Sequence, residues 1–290
     1  MKVLYLKITN RCNMNCPFCY EKKGNDIISM EKIEEIYNKF FPDKIILHGG
    51  EPLLYVDKCL EIINKFPNGN YAITSNLTIP LNDKIWKVLD ICELSTSYSI
   101  DRFSNNNSFE QFLKNVKEIS KKKKINLLVT LTRDQLKQDP NELYKVLKNI
   151  PCDKITLERL YEEEYDKNLA IQTDEYLKKL VDIIPENQNV ILQNIYKSIN
   201  THAPLFANNC KDNVITINAD NSIQICPNCS NDKITKKRNK ECLECDLFEY
   251  CRRDCLSYRN GCMFPKETFK YVQNKEVNNG NQCKSTNSIK

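Results

Sequence analysis

The chain has 290 residues, with 43 Lys and Arg against 38 Asp and Glu, for a formal net charge of +5. This length suffices for one large domain, or for a medium domain with an appended module. The first residues lack the pattern of a signal peptide, and no run of about 20 apolar residues could span a bilayer. We therefore predict a cytoplasmic protein with no membrane partner.

Short β-branched runs alternate with helical patterns from Val3 to about Pro185, which predicts repeated βα units and a parallel sheet. The candidate strands are Val3–Thr9, Lys44–His48, Tyr71–Ser75, Glu93–Ile100, Ile125–Thr132 and Lys154–Leu160. The candidate helices are Met30–Phe41, Val56–Phe66, Asp83–Asp90, Phe109–Lys122, Asn141–Asn149 and Asp174–Ile184. Six such units are too few to close an eight-stranded barrel. We therefore predict an α/β fold, a partial (β/α)6 TIM-type barrel over residues 1–203, with its active face at the carboxyl ends of the strands.

Three segments are expected to fall outside this regular pattern. Lys167–Thr173 is predicted to be a loop, and the polar stretch Asn274–Lys290 a disordered tail. Residues 204–290 are rich in cysteine and asparagine, which predicts a second, cysteine-rich domain. The run Lys121–Lys124 ends a predicted helix, where cations suit the helix dipole, so we predict no nucleic-acid partner.

Three cysteines, Cys12, Cys16 and Cys19, follow the first predicted strand in a C-x3-C-x2-C run. Three thiolates can hold three corners of a four-iron cluster and leave the fourth iron open to react. A zinc site is the alternative, but zinc usually takes four ligands. No fourth Cys or His lies nearby in the sequence, since His48 belongs to another element.

Polar residues also follow the next three strands, so four loops are expected to converge on one site. Gly49-Gly50-Glu51-Pro52 follows the second strand, Asn76 the third, and Ser99-Ile-Asp101 ends the fourth. The two glycines would let backbone approach a ligand closely, and Glu51 would supply an acceptor for an ammonium group. Asn76, Ser99 and Asp101 could equally be turn or capping residues.

The cysteine run, with Phe18 before its last cysteine, and the G-G-E-P run together resemble the signature of the radical S-adenosylmethionine (SAM) superfamily. The resemblance implies that Cys12, Cys16 and Cys19 bind a [4Fe-4S] cluster. One electron from that cluster would cleave SAM to a 5'-deoxyadenosyl radical, which abstracts a hydrogen atom from the substrate. The implied cofactor-binding residues are Phe18, Tyr20 against adenine, Gly49, Gly50, Glu51, Pro52, Asn76, Ser99 and Asp101. The glycines usual after two of these motifs are replaced by Leu77 and Arg102.

The late cysteines resemble a SPASM domain, which is a C-terminal extension of radical SAM enzymes that modify peptides and proteins. This domain usually binds two further four-iron clusters. The resemblance assigns Cys210, Cys226, Cys255 and Cys229 to an inner cluster, and Cys242, Cys245 and Cys251 to an outer one completed by Cys262 or Cys283. A hairpin over Asn218–Cys226, with its turn at Asp220-Asn221, would bring in one ligand. A single auxiliary cluster, as in twitch variants, and a zinc ribbon from the paired C-x2-C units remain alternatives.

These resemblances imply a maturase that installs a thioether or carbon–carbon crosslink, or oxidises a residue, in a ribosomally synthesised peptide (RiPP maturation). The reaction would need an external one-electron reductant of the flavodoxin or ferredoxin type. Because the first strand begins at about Val3, leader binding is expected to need another surface or a separate protein. The alternatives are an oxidoreductase that dehydrogenates a small alcohol or sugar, and a non-catalytic iron–sulfur or zinc scaffold.

Overall fold

The computed structural model describes residues 1–103, 108–160, 166–201, 213–227, 244–251 and 264–286. The predicted cluster ligands Cys210, Cys229, Cys242, Cys255 and Cys262 lie outside these residues. Cys283 falls in the last helix, of which only the backbone is described from residue 277 onward.

A single open sheet of eight strands forms the centre of the described chain. The strands are β1 (Val3–Lys7), β2 (Lys44–His48), β3 (Tyr71–Ser75), β4 (Glu93–Tyr98), β5 (Ile125–Leu131), β6 (Lys154–Arg159), β7 (Val214–Ile217) and β8 (Ile223–Gln224). Their order across the sheet is β6-β5-β4-β3-β2-β1-β7-β8, and every neighbouring pair is parallel except β7 with β8. The predicted α/β class and open parallel sheet are confirmed.

The helices of the described chain connect the strands and cover one face of the sheet. They are α1 (Met30–Phe40), α2 (Val56–Lys65), α3 (Asp83–Ile91), α4 (Ile100–Phe103), α5 (Ser108–Ile119), α6 (Pro140–Leu147), α7 (Lys167–Ile183), α8 (Val190–Thr201), α9 (Phe248–Cys251) and α10 (Lys266–Thr286). Ser29 caps the start of α1, because its side chain accepts a hydrogen bond from the N–H of Lys32. From β1 to β7, the chain passes through at least one helix between each strand and the next.

The two faces of the sheet differ in burial, and this difference decides where a ligand can bind. Along β5, residues alternate strictly between buried and partly exposed. Leu127 and Val129 face the helices and are fully buried, whereas Asn126 and Thr130 face the opposite, concave side. Because partner residues of parallel strands point the same way, this alternation extends across the sheet. The core therefore lies under the helices, and the concave face stays open.

Two predicted irregular segments are helical, and both predictions are wrong. Lys167–Thr173 forms the first turns of α7, because Asp166 accepts hydrogen bonds from the N–H groups of Asn168 and Leu169 and caps the helix. The expected disordered tail instead continues α10 to Thr286. Phe269 and Val272, nearly fully buried, anchor the beginning of α10 against the core, and the polar residues extend it from there.

The predicted hairpin is confirmed, with its turn at Asp220-Asn221 between β7 and β8. Strand β7 also pairs in parallel with β1, in the register Val3 to Val214. The central sheet therefore continues beyond residue 204, where the second domain was predicted to begin. That domain boundary stays a prediction. Within the described ranges, no helix combines the length and apolar character needed to cross a membrane.

Candidate active site at the carboxyl edge of the sheet

The loop that carries the three cysteines is closed at its base by hydrogen bonds. The N–H of Gly24 donates to the carbonyl of Asn10 at 3.3 Å. The Asn10 side chain donates to Asp26 Oδ2 at 2.7 Å and accepts from the Asp26 N–H at 2.9 Å. The cysteines are therefore presented on an ordered loop directly after β1.

The three thiols of this loop are close enough to influence one another electrostatically. Burial raises the pKa of Cys12 and of Cys19, and the charge of Cys16 raises both further. In the described part of the chain, no three His, Cys, Asp or Glu side chains have the arrangement that holds a metal ion. The donor set nevertheless fits an iron–sulfur cluster, because thiolates are its usual ligands and all three come from one closed loop.

The loop after β2 is pressed against the cysteine loop, which explains its two glycines. The N–H of Gly50 donates to the carbonyl of Thr9 at 2.7 Å, and the N–H of Glu51 to that of Arg11 at 2.9 Å. A Cβ on Gly50 would lie 2.2 Å from the Arg11 carbonyl oxygen, and Gly49 has a φ of +126°. The glycines thus allow two stretches of the chain's own backbone to meet, besides any approach to a ligand.

Glu51 joins the loops after β2 and β3. Its side chain is fully buried, and Oε1 accepts hydrogen bonds from the N–H of Leu53 and the hydroxyl of Ser75. Oε2 accepts from the N–H of Asn76 at 2.7 Å. Burial raises the pKa of Glu51, while these three donors favour the charged form. In this structure the carboxylate is used to hold the chain together. Direct binding of an ammonium by this side chain stays a prediction.

The start of α4 lies within electrostatic reach of both loops. Ser99 is fully buried, and its hydroxyl accepts a hydrogen bond from the N–H of Arg102. The positive charge of Arg102 opposes, without reversing, the raised pKa of both Cys19 and Glu51. Ser99 therefore acts as a cap in this structure, and Asp101 lies in the first turn of α4. Their predicted contacts with SAM stay predictions, as do those of half-buried Phe18 and of Pro52, which begins a short 3-10 helix.

Tyr20 connects the end of the cysteine loop to the carboxyl ends of β1 and β2. Its hydroxyl lies 3.2 Å from Nε2 of His48, and its ring lies under the ammonium of Lys7. Lys7 also pairs with Glu21 at 2.7 Å, and both side chains are largely buried. Burial and the charge of Lys7 lower the pKa of His48 to about 4, so this imidazole is neutral at pH 7. Tyr20 itself stays 38% exposed toward the concave face.

The concave face beside Tyr20 is lined by polar side chains. Asn126 donates to the hydroxyl of Ser95 and accepts from that of Thr156, which links three neighbouring strands. Glu158 lies beside Thr130 on the same face, and its side chain is exposed. Desolvation by the neighbouring protein raises the pKa of Glu158 to about 7, and the charge of Arg102 opposes this shift. The face therefore offers hydrogen bonds and a titratable carboxyl group to a ligand.

A comparison with protein families agrees with this site, because residues 6–147 match the model of the Radical SAM superfamily. These residues form a radical SAM domain. They include all three cysteines of the loop and the Gly49–Pro52 run. The radical SAM fold implies SAM and a [4Fe-4S] cluster as cofactors.

Curated relatives match this domain in part. An uncharacterized protein of Methanocaldococcus jannaschii is 37% identical over 112 residues, which are 35% of this chain and 39% of that protein. A GTP 3',8-cyclase of Aquifex aeolicus is 40% identical over 89 residues, 26% of this chain and 28% of that enzyme. The matches therefore span less than half the length of these curated relatives.

Among solved structures, SuiB of Streptococcus suis has a similar fold over most of the chain. Its complex with the precursor peptide SuiA superposes with a TM-score of 0.57 at 15% identity, and covers 87% of this chain and 71% of that one. Its complex with S-adenosylmethionine gives the same TM-score at 16% identity, covering 87% and 70%. At these identities the likeness shows the fold alone.

The structure thus brings together the cysteine loop, Gly49–Pro52 and Asn76, and places Tyr20 beside them. It also adds residues that the motifs did not reveal: Lys7, His48 and Glu158 on the concave face. A signal for them existed in the sequence. Each is an ionisable residue at or near the carboxyl end of a strand, on the side opposite the apolar positions.

Proposed function

We propose that this radical SAM enzyme abstracts a hydrogen atom from a peptide that enters the concave face of the sheet. The observation that carries the SAM-cleaving part is the contact between the cysteine loop and the loop after β2. When bound, SAM and the reduced cluster supply a 5'-deoxyadenosyl radical for this abstraction. The products would be a thioether, a carbon–carbon crosslink or an oxidised residue.

The chain's own residues would divide the task by position. Cys12, Cys16 and Cys19 would hold the cluster, and the backbone of Gly49–Pro52 would bind the amino group of SAM. Tyr20 would lie against adenine, at the border between the cysteine loop and the concave face. The polar concave face would then align the substrate and keep competing water away from the reacting carbon.

A peptide substrate is supported by the shared fold with SuiB, whose structure holds its precursor peptide. The open concave face is also compatible with an extended segment. We further propose that the late cysteines bind one or two auxiliary [4Fe-4S] clusters. Cys226 lies two residues after the end of β8. Burial raises the pKa of Tyr20 and the charge of Cys226 adds to this shift, which puts Cys226 within electrostatic reach of the proposed active site.

A small hydroxylated molecule is the second candidate substrate. It is favoured by the linked side chains of Ser95, Asn126 and Thr156, since hydroxyl and amide groups suit such a ligand. The partial matches to enzymes named GTP 3',8-cyclase also favour a small substrate. Mass spectrometry of a co-expressed peptide that is encoded beside this protein separates the two candidates. A mass change of the peptide favours the peptide substrate, and an unchanged mass favours the small molecule.

SAM cleavage is tested with anaerobically reconstituted, dithionite-reduced protein and chromatography of 5'-deoxyadenosine. We expect Cys16→Ala to abolish its formation, whereas the control Cys152→Ser, two residues before the amino end of β6, retains it. Formation that survives in Cys16→Ala contradicts the proposal. A wild-type protein that leaves SAM intact supports the scaffold alternative. Iron analysis counts the clusters: about twelve irons for two auxiliary clusters, about eight for one, and about four with zinc for a ribbon.

A further inference from the structure

Asn76 places a hydrogen-bond donor against one of the proposed cluster ligands. Its Nδ2 lies 3.8 Å from Sγ of Cys12, within hydrogen-bond range for sulfur. The same sulfur accepts a hydrogen bond from the N–H of Met14 at 3.4 Å. The Met14 donor belongs to the cysteine loop itself, whereas the Asn76 donor comes from the end of β3. Cys12 is therefore contacted by two donors, one local and one from another strand.

The orientation of the Asn76 amide is determined by its other hydrogen bonds. Oδ1 accepts from the N–H of Thr78 at 3.0 Å and from the Thr78 hydroxyl at 2.6 Å. Nδ2 donates to Oδ1 of Asn13 at 2.9 Å, and Asn13 donates in turn to Thr78. Turning the amide over would set its NH2 group against the N–H of Thr78. The nitrogen, and not the oxygen, therefore faces the sulfur of Cys12.

The surroundings of Asn76 favour a strong effect on the sulfur. Asn76 is 6% exposed, and its backbone N–H is bound to the fully buried carboxylate of Glu51. A hydrogen bond acts more strongly where water is excluded, because the local dielectric is low. The donor is held in place from three directions, by Asn13, Thr78 and Glu51, so it cannot easily turn away.

We propose that Asn76 tunes the reduction potential of the cluster bound at Cys12, by donating its Nδ2–H to that sulfur. This inference rests on the proposed function, since it needs a four-iron cluster at the cysteine loop. Reduction by one electron adds negative charge to the cluster and its sulfur ligands. A donor facing a ligand sulfur stabilises that charge, so it raises the potential and makes reduction by an external one-electron donor easier.

The test is a redox titration of the reconstituted protein with dithionite, followed by electron paramagnetic resonance. The variants are Asn76→Ala, which removes the donor, and Asn76→Asp, which keeps an oxygen for Thr78 but turns an acceptor toward the sulfur. At a fixed potential, we expect the ratio of reduced to oxidised cluster to fall about fivefold in Asn76→Ala, the effect of one net hydrogen bond. The fall should be larger in Asn76→Asp. A wild-type potential in either variant overturns the proposal.

Two controls separate this effect from loop displacement and from other clusters. Asn115→Ala loosens the loop after Asn76, because Asn115 donates to the carbonyls of Leu77 and Ile79 but does not contact the sulfur. A shift in Asn115→Ala equal to that in Asn76→Ala overturns the hydrogen-bond assignment. Signals of auxiliary clusters are subtracted with a variant in which Cys12, Cys16 and Cys19 are all alanine.

The failure of this inference differs from the failure of the proposed function. A wild-type protein whose spectrum equals that of the triple cysteine variant has no cluster at the loop, and the proposed function fails with the inference. A wild-type protein that binds the cluster and cleaves SAM, with variants of unchanged potential, overturns the role of Asn76 alone.

Discussion

At the scale of single residues, the glycines after β2 show how a motif depends on its fold. A sequence motif with two glycines suggests close approach to a ligand. The structure adds that Gly50 also approaches the chain's own cysteine loop, at the carbonyl of Arg11. The same residue thus serves the contact between two loops, and with it the geometry of the proposed site.

We expect Gly50→Ala to lower the free energy of unfolding by about 1–3 kcal/mol, the usual range for overpacking. The new Cβ would lie 2.2 Å from the carbonyl oxygen of Arg11. This oxygen belongs to the backbone, which cannot move aside as easily as a side chain. Urea denaturation measures the change. Gly24→Ala is the matched control, since its Cβ would meet only the side chain of Asn10. Equal effects of the two substitutions would contradict this explanation.

Glu158 is a residue of the concave face whose charge changes near neutral pH. Its pKa is about 7 in the folded protein, above the ordinary value of 4.5. The folded state therefore holds the proton more tightly than the unfolded state. The stability contributed by this protonated group is full below about pH 4.5 and is lost as the pH rises through about 7.

We accordingly expect the stability of the wild type, relative to Glu158→Gln, to fall as the pH rises from about 4.5 to about 7. Urea denaturation of both proteins across this range measures the difference. Glu35→Gln serves as a control of opposite sign, because Lys39 and Lys32 lower the pKa of Glu35 to about 2. Its contribution should be lost only as the pH falls below about 4.5. If the free energies of unfolding of the wild type and of Glu158→Gln change with pH in parallel, the carboxyl group does not titrate as stated.

At the scale of elements, the β7–β8 hairpin is tied to the first βα unit by its turn. Asn221 adopts a left-handed conformation with a φ of 66°, and its Oδ1 accepts a hydrogen bond from the N–H of Ser29 at 2.8 Å. Ser29 in turn begins α1. The turn residue therefore supports both the hairpin before Cys226 and the start of the helix after the cysteine loop.

The two roles of Asn221 can be separated by substitution. Asn221→Gly keeps the left-handed backbone but loses the side-chain hydrogen bond, and we expect it to cost about 1 kcal/mol of stability. Asn221→Ala loses both, so it should cost about 1–2 kcal/mol more. Thermal or urea denaturation ranks the three proteins. If alanine is tolerated as well as glycine, the conformation of the turn is not the determining factor.

At the scale of the whole molecule, Asp174 connects the last helix to the barrel. Asp174 lies on α7 and is buried, and its carboxylate accepts hydrogen bonds from the N–H groups of Glu267 and Thr268 and from the Thr268 hydroxyl. The two N–H groups belong to the first turn of α10, whose backbone donors have no partner within the helix. One side chain of the barrel thus caps a helix that lies some 90 residues later in the chain.

We expect Asp174→Ala to detach the start of α10, because three donors would lose their acceptor at a buried position. The cost should be about 1–3 kcal/mol. Hydrogen exchange should show faster exchange in α10 with little change in β1–β3. Thr173→Val on the same helix is the control, since the Thr173 hydroxyl bonds only within α7, to the carbonyl of Leu169. Exchange that rises equally throughout the sheet would contradict a local capping role.

Local patterns in the sequence determined much of this protein. Alternation of β-branched and helical runs predicted all six strands of the barrel and their parallel order, because each strand must bury one apolar face. Two motifs identified the radical SAM domain, namely the spacing of Cys12, Cys16 and Cys19 and the Gly49–Pro52 run. Each of them is readable from the sequence because it lies within a single loop. Where signals were weak, as in Lys167–Thr173 and beyond Asn274, predictions of irregular structure were wrong. Packing of α7 and of the beginning of α10 on the core favoured helix in both places despite the polar composition.

Only the tertiary structure decided which residues from distant segments meet. The pairing of β7 with β1, the contact of Tyr20 with His48 and the cap of α10 by Asp174 each join positions far apart in the chain. The donor that Asn76 directs at Cys12 spans 64 residues. No local pattern encodes such contacts, because they depend on the register of neighbouring strands and on the directions in which their loops leave the sheet.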